Sequence, residues 1–402
     1  MAVARHSSLV TRHSSLVTRH SSLSMTNHPL TIGIDASRAV IAQRTGTEHY
    51  SASLLAALTT LPEARRYRFR LYVNMRSADE ARERLGFELL PNWRIVAAPF
   101  PRLWTHLRLS WEMLRRPPGV LFVPSHVVPL WHPRRTVVTV HDLGYLEYPQ
   151  AHTRFSRLYL HLSTWFSARS ARRVIAISEA TRRDLVRHYR VPPGKISVVY
   201  HGRDPIFAPV DDPVRQAEVA AKYGVQQPYC LHVGTLQPRK NLGLLVEAWD
   251  VLRGSMERPP QLLLAGKRGW LYDSLFEMVR SRGLGDLVRF ADYVERDDLP
   301  ALYSGALALT FPSLYEGFGL PPLEAMSCGT PVLASTASSV PEVVGYGGLL
   351  LDPHDPRPWA EAVQRLAHDP GLQSELRRKG LERAAYFSWE RSARQTLQVL
   401  VD

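Results

Sequence analysis

Two glutamates eight positions apart, Glu316 and Glu324, stand in a segment over residues 311–331 that reads FPSLYEGFGLPPLEAMSCGTP. Between them lie Gly317 and Gly319, where the backbone can approach a ligand closely and take positive φ. Pro321 and Pro322 suit a first helical turn, whose N–H groups have no intrahelical acceptor. The spacing predicts a helix through Leu323, Glu324, Ala325 and Met326, stopped by Cys328, Gly329, Thr330 and Pro331. A helix start with free N–H groups and a positive dipole end receives anions. The carboxylates flanking it can accept hydrogen bonds from hydroxyl groups. A ligand that is polyhydroxylated and anionic answers every part of this pattern, and a nucleotide sugar is such a ligand.

Other polar residues cluster where apolar runs end. Arg239 and Lys240 follow the run 229–233 and Gly234. There, cations and free amides at the start of a helix can together hold a diphosphate. An Arg–Lys pair is ordinarily a solvated face, and its place directly after a buried strand is what argues otherwise. His141 and Asp142 close the run 136–140, where a histidine is more often structural than catalytic. Gly46, between Thr45 and Thr47, opens a helix and has the plain reading of a turn glycine. Ser178 has the type and place of a helix N-cap. Gly202, after His201, marks a hinge. The stretches 266–269 and Asp292-Tyr293-Val294 each end a further strand. No Asp-x-Asp stands where a metal would be needed. Neither half opens with the G-x-G-x-x-G of NAD binding.

These residues need a scaffold of strands. The first buried strand is expected over 30–35. Strand-like apolar runs follow at 69–73, 93–97, 120–123, 136–140, 174–177 and 196–199. A helix after Gly46 carries Tyr50, Leu54, Leu55 and Leu58 on one face. The alternation pauses over the polar, proline-bearing stretch 203–226, then restarts at 229–234 with runs at 261–265, 288–290, 307–311, 332–334 and 349–351. Strand, helix, strand in repetition means a parallel sheet covered on both faces. Two doubly wound α/β domains, 29–205 and 206–385, are therefore expected, facing across a cleft at the carboxyl ends of their strands. The last segment, 386–402, with Phe387-Ser388-Trp389, resembles the terminal helix of a known two-domain family, which crosses back to the first domain.

The 402 residues suit two domains. No apolar run reaches the ~18 residues of a membrane span. Cys230 and Cys328 lie far apart in apolar settings and read as reduced core residues of a cytoplasmic protein. Charge is uneven: residues 1–201 hold 29 Lys and Arg against 12 Asp and Glu, and residues 202–402 hold 21 against 25. A basic first half faces something anionic. Nucleic acid has this charge in its favour but no recognisable motif, and is not expected as a partner. Residues 102–116 and 154–173 are both basic and aromatic. In the first, Trp104, Leu107, Trp111 and Leu114 share a helical face, a pattern that suits equally an anionic membrane surface and a helix packed on its own domain with its arginines outside. The second reads as a helix packed on its own domain with its arginines outside. Residues 1–28 stand apart, because HSSLVTR is repeated almost verbatim from His6, His13 and His20. This reads as a disordered tail, a tandem DNA repeat translated from an upstream start, with Met25 the expected true start.

The segment 311–331 closely resembles the E-x7-E signature of retaining glycosyltransferases of family 4, which have the GT-B fold. The likeness runs from about residue 31 to 389. It implies that Glu324 binds the donor ribose and that Glu316 contacts the transferred sugar. The amides of Gly317, Phe318, Gly319 and Leu320 would receive sugar and phosphate oxygens. It further implies that Arg239, Lys240 and Gly46 meet the diphosphate beside Gly234, and that the backbone at Tyr293 and Val294 reads the base. His141 would reach the reacting sugar, with Asp142 orienting it or its loop. His141, Glu316, Arg239 and Lys240 are thus the expected catalytic residues. The implied reaction moves a hexose, with mannose from GDP-mannose favoured, to a glycan or polyprenyl-diphosphate-linked acceptor with retention. No metal or cofactor is expected. The setting would be surface polysaccharide synthesis at the inner face of the plasma membrane. The rival readings are a nucleotide-sugar 2-epimerase of the same fold and a non-catalytic nucleotide-sugar-binding partner.

Overall fold

The computed structural model describes residues 29–42, 46–151, 153–269 and 273–402. The HSSLVTR repeat, Met25 and Thr45 lie outside these residues. Among the described residues thirteen strands form two parallel sheets. The first holds β1 (Thr31–Asp35), β2 (Arg68–Val73), β3 (Trp93–Ala97), β4 (Val120–Val123), β5 (Thr136–Val140), β6 (Arg173–Ala176) and β7 (Ile196–Val198). Their order is β3-β2-β1-β4-β5-β6-β7. The second holds β8 (Tyr229–Val233), β9 (Gln261–Ala265), β10 (Val288–Ala291), β11 (Ala308–Phe311), β12 (Val332–Ser335) and β13 (Leu349–Leu351), in the order β10-β9-β8-β11-β12-β13. Apolar runs such as VLFV in β4 and TVVTV in β5 are buried along their whole length. That is what helices on both faces of a parallel sheet require. The expected α/β class with two doubly wound sheets is the observed architecture.

Strand order reverses between β1 and β4, and again between β8 and β11. A crevice opens at such a switch point, outside the carboxyl ends of the strands. β8 and β11 pair with Leu231 opposite Leu309. The loop after β8, with Gly234, Arg239 and Lys240, therefore leaves the sheet beside the loop after β11, with Tyr315 and Glu316.

The helix Trp389–Val401 lies against the helix Gly46–Thr60 of the first sheet. Trp389, Ala393, Leu397 and Leu400 share one apolar cluster with Leu54 and Leu58. A Cβ on Gly202 would fall 2.1 Å from the backbone nitrogen of Trp389, so this crossing needs glycine there.

Two sequence expectations are corrected. The polar stretch 203–226 contains a helix, Pro213–Lys222, started by Asp212, whose side chain accepts from Val214 and Arg215 N–H. It buries only Val219 and Ala220, too little for an apolar pattern to mark it. In the segment 102–116 a π-helical turn intervenes, with Leu109 N–H donating to Trp104 C=O at 2.9 Å. The extra residue in that turn rotates Trp104 out of line. Its indole donates to Ala98 C=O and is buried, while Leu107, Trp111 and Leu114 are about half exposed. The helix Arg154–Ser170 packs on its own domain as expected, through Thr164, Ser167 and Ala168 with Leu160 and Phe166 half-buried beside them, while Arg154, Arg157 and Arg169 stay exposed.

Candidate active site

The site is built on two loops of the second sheet and closed by one loop of the first. Arg239 and Lys240 occupy a 3₁₀ turn, Pro238–Lys240, just before the helix Leu242–Ser255. Gly234 precedes them at φ +150°, a backbone conformation that favours glycine. Both cations turn onto Glu316. Arg239 Nη1 donates to Glu316 Oε2 at 2.8 Å and to Tyr315 C=O at 2.9 Å, and Lys240 Nζ donates to Glu316 Oε1 at 2.5 Å. Burial opposes ionisation of Glu316, but the Lys240 ammonium and the Arg239 guanidinium outweigh it and hold its pKa down at about 2. The Lys240 ammonium also lies 4.9 Å from the centre of the Phe311 ring.

The loop after Glu316 is tied by its carbonyls. Ser338 and Ser339 donate to Glu316 C=O at 2.8 and 2.9 Å, and Ser339 also donates to Phe318 C=O at 2.8 Å. Among the described residues no hydrogen bond takes up the amides of Gly317, Phe318 and Gly319. They are the polar groups this loop has left to offer a ligand. Gly319, at φ +116°, leads into the helix Leu320–Ser327, which starts where the prolines predict. The Phe318 side chain points away from this opening and stacks on His201 at 4.8 Å between ring centres. Only its backbone remains available to a donor.

Glu324 lies half-buried on that helix, its carboxylate accepting from the Tyr303 hydroxyl at 2.9 Å. Burial pushes its pKa up to about 7. It lines a narrow pocket with His49, Gly202, Arg203, Asp204, Leu320 and Leu323. His49 Nε2 lies 2.9 Å from Asp204 Oδ2, and Arg296 also pairs with Asp204. Three elements thus meet beside Glu324: the first helix, the hinge and the loop after β10.

His141 follows β5 on the opposite wall. It is buried, its Nε2 donates to Pro124 C=O at 3.0 Å, and the edge of the Tyr50 ring faces it. Burial lowers its pKa, so the imidazole is neutral with Nδ1 as its acceptor nitrogen. Asp142 accepts from Gly144 N–H at 2.8 Å and holds the loop rather than the imidazole. The two walls touch. A Cβ on Gly317 would lie 2.4 Å from His141 C=O, and the Tyr315 hydroxyl accepts from Leu143 N–H at 3.0 Å while donating to Asp184 at 2.9 Å. Nearby, the Glu342 carboxylate accepts from Glu179 and Ala180 N–H at 2.6 and 2.7 Å, at the helix start that Ser178 caps.

The remaining expected residues are placed as follows. Gly46 opens its helix, and among the described residues no atom lies within 4 Å of where a Cβ would stand. Tyr293 is exposed with Lys267 over its ring, and Val294 is buried in the apolar core. Among the described residues one trio has metal-ligand spacing, Glu147, Asp184 and His188. His188 is engaged by Glu147 and Asp184 by Tyr315. Sequence reasoning missed Tyr303, Asp204, Ser338, Ser339 and Glu342. Tyr315 carried a signal, standing beside Glu316 in the motif; the others carried none.

Residues 45–207 match the family model described as Glycosyltransferase Family 4, and residues 216–383 match the one described as Glycosyl transferases group 1. The O-antigen chain mannosyltransferase B of Escherichia coli is 35% identical over 264 residues, covering 65% of this chain and 69% of that protein. The serotype-specific mannosyltransferase WbdA of Escherichia coli is 28% identical over 286 residues, 69% of this chain but only 34% of that protein. The crystal structure of Anabaena HepE in complex with UDP and glucose superposes with a TM-score of 0.68 at 18% identity, covering 93% of this chain and all of that one. That likeness carries the GT-B fold.

Proposed function

The chain belongs to the glycosyltransferases of family 4, and on that premise we propose that it moves a mannosyl residue from GDP-mannose to an acceptor hydroxyl with retention at the anomeric carbon. The observation that carries this reading is the buried cluster of Arg239, Lys240 and Glu316 beside a loop of unpaired amides. The departing diphosphate would gather negative charge where two cations and those amides converge, and no metal ion is needed to balance it. An ammonium has three protons to donate, and Glu316 takes one of them. Both oxygens of Glu316 are engaged by cations. That makes it a poor displacement nucleophile and favours a front-face reaction in which the leaving phosphate accepts the acceptor's proton. Glu324, in its pocket beside Asp204, is the group for the ribose hydroxyls. His141 would face the sugar from the other wall.

The mannosyltransferase relatives support mannose, and they support a growing surface polysaccharide as acceptor. A polyprenyl-diphosphate-linked glycan at the cytoplasmic face of a membrane is the form of acceptor that suits the basic first domain. The test is incubation with GDP-mannose, UDP-glucose and dTDP-rhamnose in EDTA, with thermal shift by GDP, UDP, dTDP and ADP alongside Glu324→Ala. The expected result is stabilisation by GDP in the wild type alone, with an α-linked product by NMR. Stabilisation by another nucleotide reassigns the donor, and a product of inverted configuration refutes retention.

A further inference from the structure

We propose that the segment 103–114, the loop 128–131 and the helix Arg154–Ser170 form one face that docks on an anionic lipid bilayer. Of the seventeen large apolar side chains exposed among the described residues, eleven lie between residues 103 and 165. On the long helix Phe155, Leu158, Tyr159, Leu162 and Trp165 follow helical spacing along one side, from 40% to 81% exposed. The opposite side of that helix packs through Leu160, Thr164, Phe166, Ser167 and Ala168, and among the described residues no apolar cluster covers the exposed row.

The three pieces are joined. His106 and Tyr159 are hydrogen-bonded at 2.9 Å, linking the first segment to the long helix. Trp131 N–H donates to Ser110 Oγ at 3.2 Å and Val128 N–H to Ser167 Oγ at 3.0 Å, so the loop lies between them. Leu107, Trp111, Leu114, Leu130 and Trp131 extend the row. Isolated exposed apolar residues are ordinary, but a contiguous array with a charged rim marks an interaction surface.

The rim decides the partner. Arg102, Arg115, Arg116, Arg154, Arg157 and Arg169 are exposed around the row, and Arg115 and Arg169 reach over Trp111 and Trp165. Glu112, the acid of the first segment, is neutralised by Arg108 at 2.6 Å. Tryptophan, tyrosine and leucine bordered by arginine is the composition that sits at the headgroup boundary of an anionic membrane. Among the described residues no helix is long and apolar enough to cross one. The contact would lie in the plane of the surface. If the transferase reading holds, docking also brings a lipid-borne acceptor to the cleft beyond β1, because Leu103, His106 and Tyr159 border both the face and that cleft with Ser37 and Arg38.

The experiment is flotation of the full chain with vesicles of phosphatidylcholine alone or with phosphatidylglycerol, without nucleotide. The wild type should float with the phosphatidylglycerol vesicles and stay behind with neutral ones, and added salt should weaken the association. Leu158→Asp with Leu162→Asp should lower flotation at least ~10-fold at an unchanged melting temperature. Arg154→Glu with Arg157→Glu, which leaves the apolar row intact, should lower it too. The proposal is overturned if the wild type ignores phosphatidylglycerol vesicles or if both variants float like wild type. It is equally overturned if the wild type is a dimer that the leucine variant splits without any vesicle binding. Because no donor is present, failure of the GDP-mannose reading would leave flotation unmoved.

Discussion

Lys240 and Glu316 form a salt bridge of 2.5 Å with 7% and 10% of their side-chain surfaces exposed. They are 76 positions apart in the chain and meet because β8 and β11 are neighbours in the sheet. A buried pair of this kind is costly to break from one side, at about 3–5 kcal/mol, because the partner is left as an uncompensated buried charge. Here Arg239 remains to share the load, and its guanidinium is the second grip on the same carboxylate.

Lys240→Met should therefore fold but turn over poorly. Loss of one charge-stabilising donor at a leaving group lowers kcat by on the order of 10²–10³. Steady-state transfer from GDP-mannose measures it, and a kcat within threefold of wild type would remove Lys240 from the leaving-group role.

Acid should expose the same cluster in stability. The Glu316 carboxyl is held at about 2 in the fold against 4.5 for the free group. Its contribution is present above pH 4.5 and is lost as pH falls from there towards 2. Urea unfolding of wild type and Glu316→Gln should differ most near neutrality and converge below pH 4.5. A gap that widens with acid would contradict this pairing.

Glu324 should behave in the opposite sense. Its folded value of about 7 lies above the free value of 4.5. The neutral form is favoured by folding, so a penalty appears as pH rises past 4.5 and is complete above 7. Glu324→Gln should raise the melting temperature at pH 8, through a gain on the order of 1–3 kcal/mol, and leave it unchanged near pH 4. GDP stabilisation should nevertheless be lost in this variant at pH 8. An equal melting temperature at both pH values would place Glu324 in solvent.

Gly317→Ala should separate the walls of the cleft. The added carbon would meet His141 C=O at 2.4 Å and the Asp142 Cβ at 2.9 Å. Since the first obstacle is backbone, the loop or the domain must move. Transfer should fall at least ~10-fold through misplacement of the reacting groups, with GDP binding retained on the second domain. Small-angle scattering should show a more open particle, and unchanged activity would mean that the contact is not kept during turnover.

The scaffold was legible because parallel strands buried on both faces write themselves as short apolar runs. Runs such as 93–97, 120–123, 136–140 and 261–265 are β3, β4, β5 and β9 to the residue. Pro321 and Pro322 marked the start of the helix Leu320–Ser327, and chemistry near Glu316 and Glu324 was readable from glycine, proline and acid types at fixed spacing. The helix Pro213–Lys222 was not legible, since it buries almost nothing and periodicity records burial.

What the sequence alone determined is thus the set of elements, their parallel class and the residues able to meet a nucleotide sugar, all of which depend on local pattern. Tertiary structure decided which of those groups face one another. Glu316 takes Arg239 and Lys240 as partners, Glu324 takes Tyr303, and Phe318 turns inward onto His201. It also decided which apolar residues of the helix Arg154–Ser170 are covered: Leu160 and Phe166 pack on the domain, whereas Phe155, Leu158, Leu162 and Trp165 stay exposed. The physical reason is the same throughout. Periodicity shows that a face is apolar or a loop is polar, but which surface covers it depends on contacts between residues far apart in the chain.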